Sequence, residues 1–143
     1  YITIIDYTEF NKKNFQNAQE ETSNQYTIGS SDKSDKSLSR PWVGVDLDGT
    51  LAHYDENSSI ELIEEPIPAM VEFIRKMIQK NIQVKIFTAR ASDADQLPII
   101  REWLKDYDLS ELEITNFKDY QMTKLYDDRC VQVEKNTGQP IGK

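Results

Sequence analysis

From Trp42 onward, each short apolar run of this chain ends in residues that carry charge or a hydroxyl, and amphipathic segments separate the runs. Trp42-Val43-Gly44-Val45 leads into Asp46-Leu47-Asp48-Gly49-Thr50, a buried strand entering a turn. Ile67, Met70, Val71, Ile74, Met77 and Ile78 recur at helical spacing, with Pro68 suited to a first turn and Asn81 to a C-terminal cap. Ile82–Phe87 is β-rich and of strand length. Pro98 then opens a second helix, with Ile99, Ile100, Trp103, Leu104 and Tyr107 along one face. Leu112–Thr115 reads as a third strand, Lys124–Tyr126 as the start of a fourth, and Cys130–Val133 as a fifth. This alternation predicts an α/β fold, a Rossmann-like parallel sheet flanked by helices on both faces.

In such sheets ligands collect at the carboxyl ends of the strands, so the residues just after each strand carry the functional reading. They are Asp46 and Asp48 after the first, Thr88-Ala89-Arg90 after the second, Asn116 and Lys118 after the third, and Asp127-Asp128-Arg129 after the fourth. Four carboxylates at one edge repel one another unless a cation neutralises them. Hard oxygen donors without histidine or cysteine favour Mg²⁺, which typically binds one or two carboxylates plus water and substrate phosphate. Lys118 adds a positive charge that can hold a phosphate oxygen, and Thr88 and the backbone N–H groups near Gly49 add hydrogen-bond donors. A site of this composition suits phosphoryl transfer. Asp46 is placed to attack phosphorus, and Asp48, two residues on, to exchange the proton.

D-L-D-G-T after an apolar strand, F-T-A-R after the second, a lysine after the third and Y-D-D-R after the fourth resemble the haloacid dehalogenase superfamily of phosphohydrolases. The resemblance covers about residues 42–135, with the four motifs in family order. It implies that Asp46 is the nucleophile and Asp48 the general acid/base. It further implies that Thr88 and Lys118 hold the phosphoryl group, and that Mg²⁺ is held by Asp46, the Asp48 carbonyl and the Asp127/Asp128 pair. Either member of that pair can be the direct ligand. Gly49, Thr50, Ala89 and Arg90 complete the expected substrate-binding set. The T-A-R and D-D-R segments are also similar, more weakly, to the phosphatase half of phage-type polynucleotide kinase-phosphatases, in which the arginine matching Arg90 helps to bind phosphate. Neither the Asp48–Thr88 nor the Thr88–Lys118 interval has room for the cap domain that many relatives carry. The expectation is therefore an open, capless site that admits bulky phosphorylated substrates: a polynucleotide end, a nucleotide, a phosphosugar or a phosphoprotein. The alternative of another class is a catalytically silent phosphate- or protein-binding module with the same fold.

The remainder of the chain bounds this reading. Residues 29–40, G-S-S-D-K-S-D-K-S-L-S-R, have the composition of a linker, so residues 1–41 read as an N-terminal arm and 42–143 as the phosphatase domain. The net charge is −8, and residues 42–143 hold 19 of the 25 acidic side chains, some of which belong to the expected cation site. A protein that grips phosphate backbones carries the opposite surplus, so the charge disfavours a nucleic-acid partner, a short end-directed contact excepted. No apolar run approaches the roughly 20 residues of a membrane helix, and no charged-then-apolar leader opens the sequence. Neither a membrane span nor a secretory leader is expected. One cysteine, Cys130, cannot form an internal disulfide, which fits a reducing, cytoplasmic setting. It is expected as a small buried residue, and Trp103 and Tyr107 as core. The lone His53 cannot build a metal site by itself. Asp55, Glu56, Glu61, Glu64 and Glu65 form an acidic loop beside the expected site.

Overall fold

The computed structural model describes residues 40–142, and the arm expected over 1–41 lies outside the described residues apart from Arg40 and Pro41. Four strands, β1 (Trp42–Val45), β2 (Gln83–Phe87), β3 (Glu113–Thr115) and β4 (Met122–Tyr126), form one parallel sheet in the order β3-β2-β1-β4. Helix α1 (Pro68–Gln79) links β1 to β2, and α2 (Gln96–Asp106) links β2 to β3. The α/β fold with a Rossmann-like parallel sheet is therefore as expected.

The steps β1→β2→β3 run the same way along the sheet. Right-handed crossovers taken in one direction put both helices on the same face. The core follows from this. Val43 and Val45 of β1 pair in register with Val84 and Ile86 of β2. This row meets Val71, Ile74 and Met77 of α1 and Ile100, Trp103 and Leu104 of α2 in one buried cluster. On the opposite face Lys85 is buried, paired with Glu113 at 3.4 Å and lying 4.7 Å over the Trp42 ring. Gly44 lies on that face because β1 is close-packed there: a Cβ would stand 2.9 Å from Met122 Cε and 3.3 Å from Phe87 Cβ.

Helix α1 begins with Pro68 and ends where Asn81 takes φ 60°, the left-handed conformation asparagine tolerates after a helix. Helix α2 begins at Gln96, two residues before Pro98, since a proline in the first turn costs no backbone hydrogen bond. Three expectations need correction, the first being that helices flank both faces: among the described residues α1 and α2 pack in one cluster on one face. The fifth strand is only Gln132–Val133 (β5), and it pairs antiparallel with Pro140–Ile141 (β6) as a separate ribbon rather than extending the sheet. Cys130 is exposed, not buried, because the chain leaves the sheet at Asp127 and the apolar residues that follow face solvent: Val131 and Val133 are exposed too. No helix among the described residues is long and apolar enough to cross a membrane.

Candidate functional site

Beside β1 the connections change direction. Strand β2 lies on one side of it and β4 on the other, so the carboxyl end of β1 is a topological switch point where a crevice forms. Val45 pairs with Tyr126, and the Asp46 N–H donates to the Tyr126 carbonyl at 2.9 Å. This register brings the residue after β1 beside those after β4. One carboxylate oxygen from each of Asp46, Asp127 and Asp128 lies within 4.8 Å of the others, although about 80 positions of sequence separate the first from the last two.

The D-x-D-G-T turn is tied back on itself. The Leu51 and Ala52 N–H groups donate to the Leu47 carbonyl at 3.0 and 2.9 Å, and the Gly49 N–H donates to Ala52 at 2.8 Å. Gly49 has φ +90°, and a Cβ there would lie 2.6 Å from Asp128 Oδ2, so only glycine lets the Asp128 carboxylate approach. The Thr50 hydroxyl accepts from the Asp128 N–H at 3.0 Å and lies within reach of Asp46 Oδ2 (3.4 Å) and Asp128 Oδ1 (3.3 Å). It thus couples the two ends of the cluster.

Asp46 is 7% exposed and its carboxyl is raised to about 7. Burial contributes most, followed by the Asp127 charge and a hydrogen bond with Asp128, against a lowering hydrogen bond from the Leu47 backbone. Three converging carboxylates, one of them buried, supply a hard oxygen donor set that fits a divalent cation such as Mg²⁺. The one nearby sulfur does not compete: desolvation and the adjacent Asp127 push the Cys130 thiol up, away from the thiolate that a soft metal needs.

Asp48 stands outside this cluster. Its two oxygens accept from Arg90 Nε at 2.7 Å and Nη2 at 2.9 Å, a bidentate pair. Arg90 also donates to Gln96 Oε1 at 2.9 Å, to the Leu62 carbonyl at 3.1 Å and to the Ile60 carbonyl. One guanidinium therefore fastens the acid/base candidate to α2 and to the loop 53–65. Arg90 is a member of the expected substrate-binding set, and here its N–H groups hold the protein. Thr88 is buried and its hydroxyl accepts from the Arg90 N–H at 3.2 Å, capping the 3₁₀ turn Ala89–Ser92. Ala89 is exposed at the start of that turn.

Lys118 is not brought into the cluster by any bond. It is exposed, with no ion pair or hydrogen bond among the described residues, and the next residue already belongs to the opposite rim. There Asp119 accepts from Trp42 Nε1 at 2.8 Å, at the amino end of β1. Gln96 is a site residue that the sequence reading passed over. It is buried, and its position four residues before Ile100 on the apolar stripe of α2 is the signal that marked it. A polar side chain on such a stripe needs a polar partner, here Arg90.

No protein-family model matches the chain, and no curated protein does so either. Among solved structures the chain is similar to a conserved protein from Bacteroides thetaiotaomicron, with 21% identical residues over 64% of this chain and 78% of that one, at a TM-score of 0.46.

Proposed function

We propose that the protein is a Mg²⁺-dependent phosphomonoester hydrolase of the haloacid dehalogenase type, working through Asp46. The observation that carries this reading is the meeting of Asp46, Asp127 and Asp128 at the switch point, with Asp48 two residues from Asp46. Asp46, Asp127 and Asp128 would hold the ion, which when bound neutralises phosphoryl charge and keeps Asp46 ionised. An oxygen of Asp46 attacks phosphorus as the ester P–O bond breaks, leaving an aspartyl-phosphate. Turned away from Arg90 and protonated from solvent, Asp48 gives that proton to the departing alcohol oxygen. It then takes a proton from the water that attacks the aspartyl-phosphate, which releases inorganic phosphate and restores both carboxyl groups. Arg90 holds Asp48 at rest, and rotation of the carboxyl group away from the guanidinium delivers it to the leaving oxygen.

Between Asp48 and Thr88 lie one loop, one helix and one strand, and between Thr88 and Lys118 a 3₁₀ turn, one helix and one strand. This economy supports an uncapped site. The test is phosphate release from an aryl phosphate with and without Mg²⁺, for wild type and Asp46→Asn. Metal-dependent turnover lost in the variant is expected. Turnover that persists in Asp46→Asn sinks the mechanism, and tight binding of a phosphate analogue without turnover assigns the protein to phosphate binding instead.

A further inference from the structure

Beside the carboxylate cluster runs a cleft of about 450 Å³ that reaches it at Asp128 and is also lined by Asp48. This volume is in the range of small-molecule sites. One wall is the loop 53–65, closed at its base: the His53 N–H donates to Glu65 at 2.9 Å, and the Ile67 N–H to Leu51 at 2.7 Å. Arg90 fastens the middle of the loop through the Ile60 and Leu62 carbonyls, and Ser58 Oγ donates to Glu64 Oε1 at 2.6 Å. The wall is therefore held next to the reacting centre by bonds within the described residues.

The wall's chemistry is one-sided. Besides Asp48 and Asp128 the cleft is lined by Asp55, Glu56, Glu64 and Asp93, all carboxylates. Its lining cations are Arg90 and Arg129, and Arg90 is spent on Asp48. The same loop turns large apolar side chains outward: Tyr54 is 63% exposed, Ile60 69% and Leu62 52%. All three line the cleft.

Resting on the hydrolase reading, we infer that this cleft takes the alcohol part of a small phosphomonoester with an apolar or aromatic body and a positive charge. It discriminates against anionic leaving groups, a polynucleotide end among them. A cation–aromatic body satisfies the apolar surface and the surplus carboxylates together. An anionic body leaves the carboxylates unmatched and adds repulsion.

Two aryl phosphates with closely similar phenols separate the outcomes: 4-(aminomethyl)phenyl phosphate and 4-(carboxymethyl)phenyl phosphate, assayed with Mg²⁺. The expected kcat/KM ratio favours the ammonium ester by roughly tenfold at low salt and falls toward unity near about 0.5 M salt. The double variant Asp55→Asn/Glu56→Gln lowers the ratio, and the salt series on wild type tests the same point should that variant fold poorly. Equal turnover of the two esters, or preference for the carboxylate, overturns the inference and leaves the hydrolase reading intact. Failure of metal-dependent turnover with both esters overturns the two together.

Discussion

At the scale of single residues, the site is a matter of what each side chain is allowed to touch. Gly49 is needed for a reason independent of its turn. Its missing side chain is the space that the Asp128 carboxylate occupies, with a Cβ position only 2.6 Å from Oδ2. Gly49→Ala is expected to push Asp128 away from Asp46 and to combine that with strain at φ +90°. A calorimetric Mg²⁺ titration should then show binding weakened by tenfold or more, with melting lowered. Arg90 is the second such residue. Its planar fork matches both oxygens of Asp48 while its remaining N–H groups reach Gln96 and two loop carbonyls, a geometry that a lysine ammonium cannot reproduce. Arg90→Lys should reduce kcat by about tenfold to a hundredfold and change the pH dependence of kcat. A change confined to thermal stability would assign Arg90 to the fold alone.

At the scale of elements, the helices hold the sheet by their apolar stripes, and these are the most legible features of the chain. Met70, Val71, Ile74, Met77 and Ile78 repeat with the helical period. Ile74, at the centre, has no solvent exposure and packs in the cluster joining β1, β2 and α2. Ile74→Ala should cost about 2–5 kcal/mol, read from the midpoint shift in urea unfolding, because the close-packed neighbours relax only in part. Less legible were the ends and the short pieces. Two β-prone residues at 132–133 resemble any other strand in sequence. They form a ribbon with 140–141 because a tight turn brings those residues back, with Glu134 N–H bonded to Gln139 at 2.8 Å. Cys130 looked like the first residue of a buried run since periodicity cannot tell an apolar stretch that meets a helix from one that meets solvent. The acidic loop 53–65 reads in sequence only as charge beside the expected site. That it forms a fixed wall depends on Arg90, which comes 25 or more positions later in the chain.

At the scale of the whole molecule, charge and fold are coupled through the cluster. Asp46 is raised from 3.8 to about 7 by burial and by its acidic neighbours. Between those values the folded protein holds a proton that the unfolded chain has released. Stability of the metal-free protein due to this group is therefore greatest at low pH and is lost as the pH rises through about 7. Thermal melts of wild type without metal should show Tm falling over that window, and Asp46→Asn should remove that part of the slope. Adding Mg²⁺ at pH 7 or above should raise the wild-type Tm, by about 2.7 kcal/mol in stability at a hundredfold excess over Kd, and should do little for the variant. A metal-free wild type whose Tm is flat across the window would deny the crowding of carboxylates.

The sequence by itself determined the class of fold and the order of its motifs. Apolar periodicity and turn residues are local properties, and four strand-length runs with polar ends suffice to define a parallel sheet with an acidic edge. It also named the acidic residues that meet there. Which of them meet, and which turn elsewhere, was decided only by tertiary structure. The pairing of β1 with β4 sets Asp46 beside Asp127 and Asp128, while the placement of the turn after β2 carries Arg90 to Asp48 and commits that carboxylate to a guanidinium. Strand order and side-chain direction depend on contacts between residues 40 to 80 positions apart, and no local pattern records those distances.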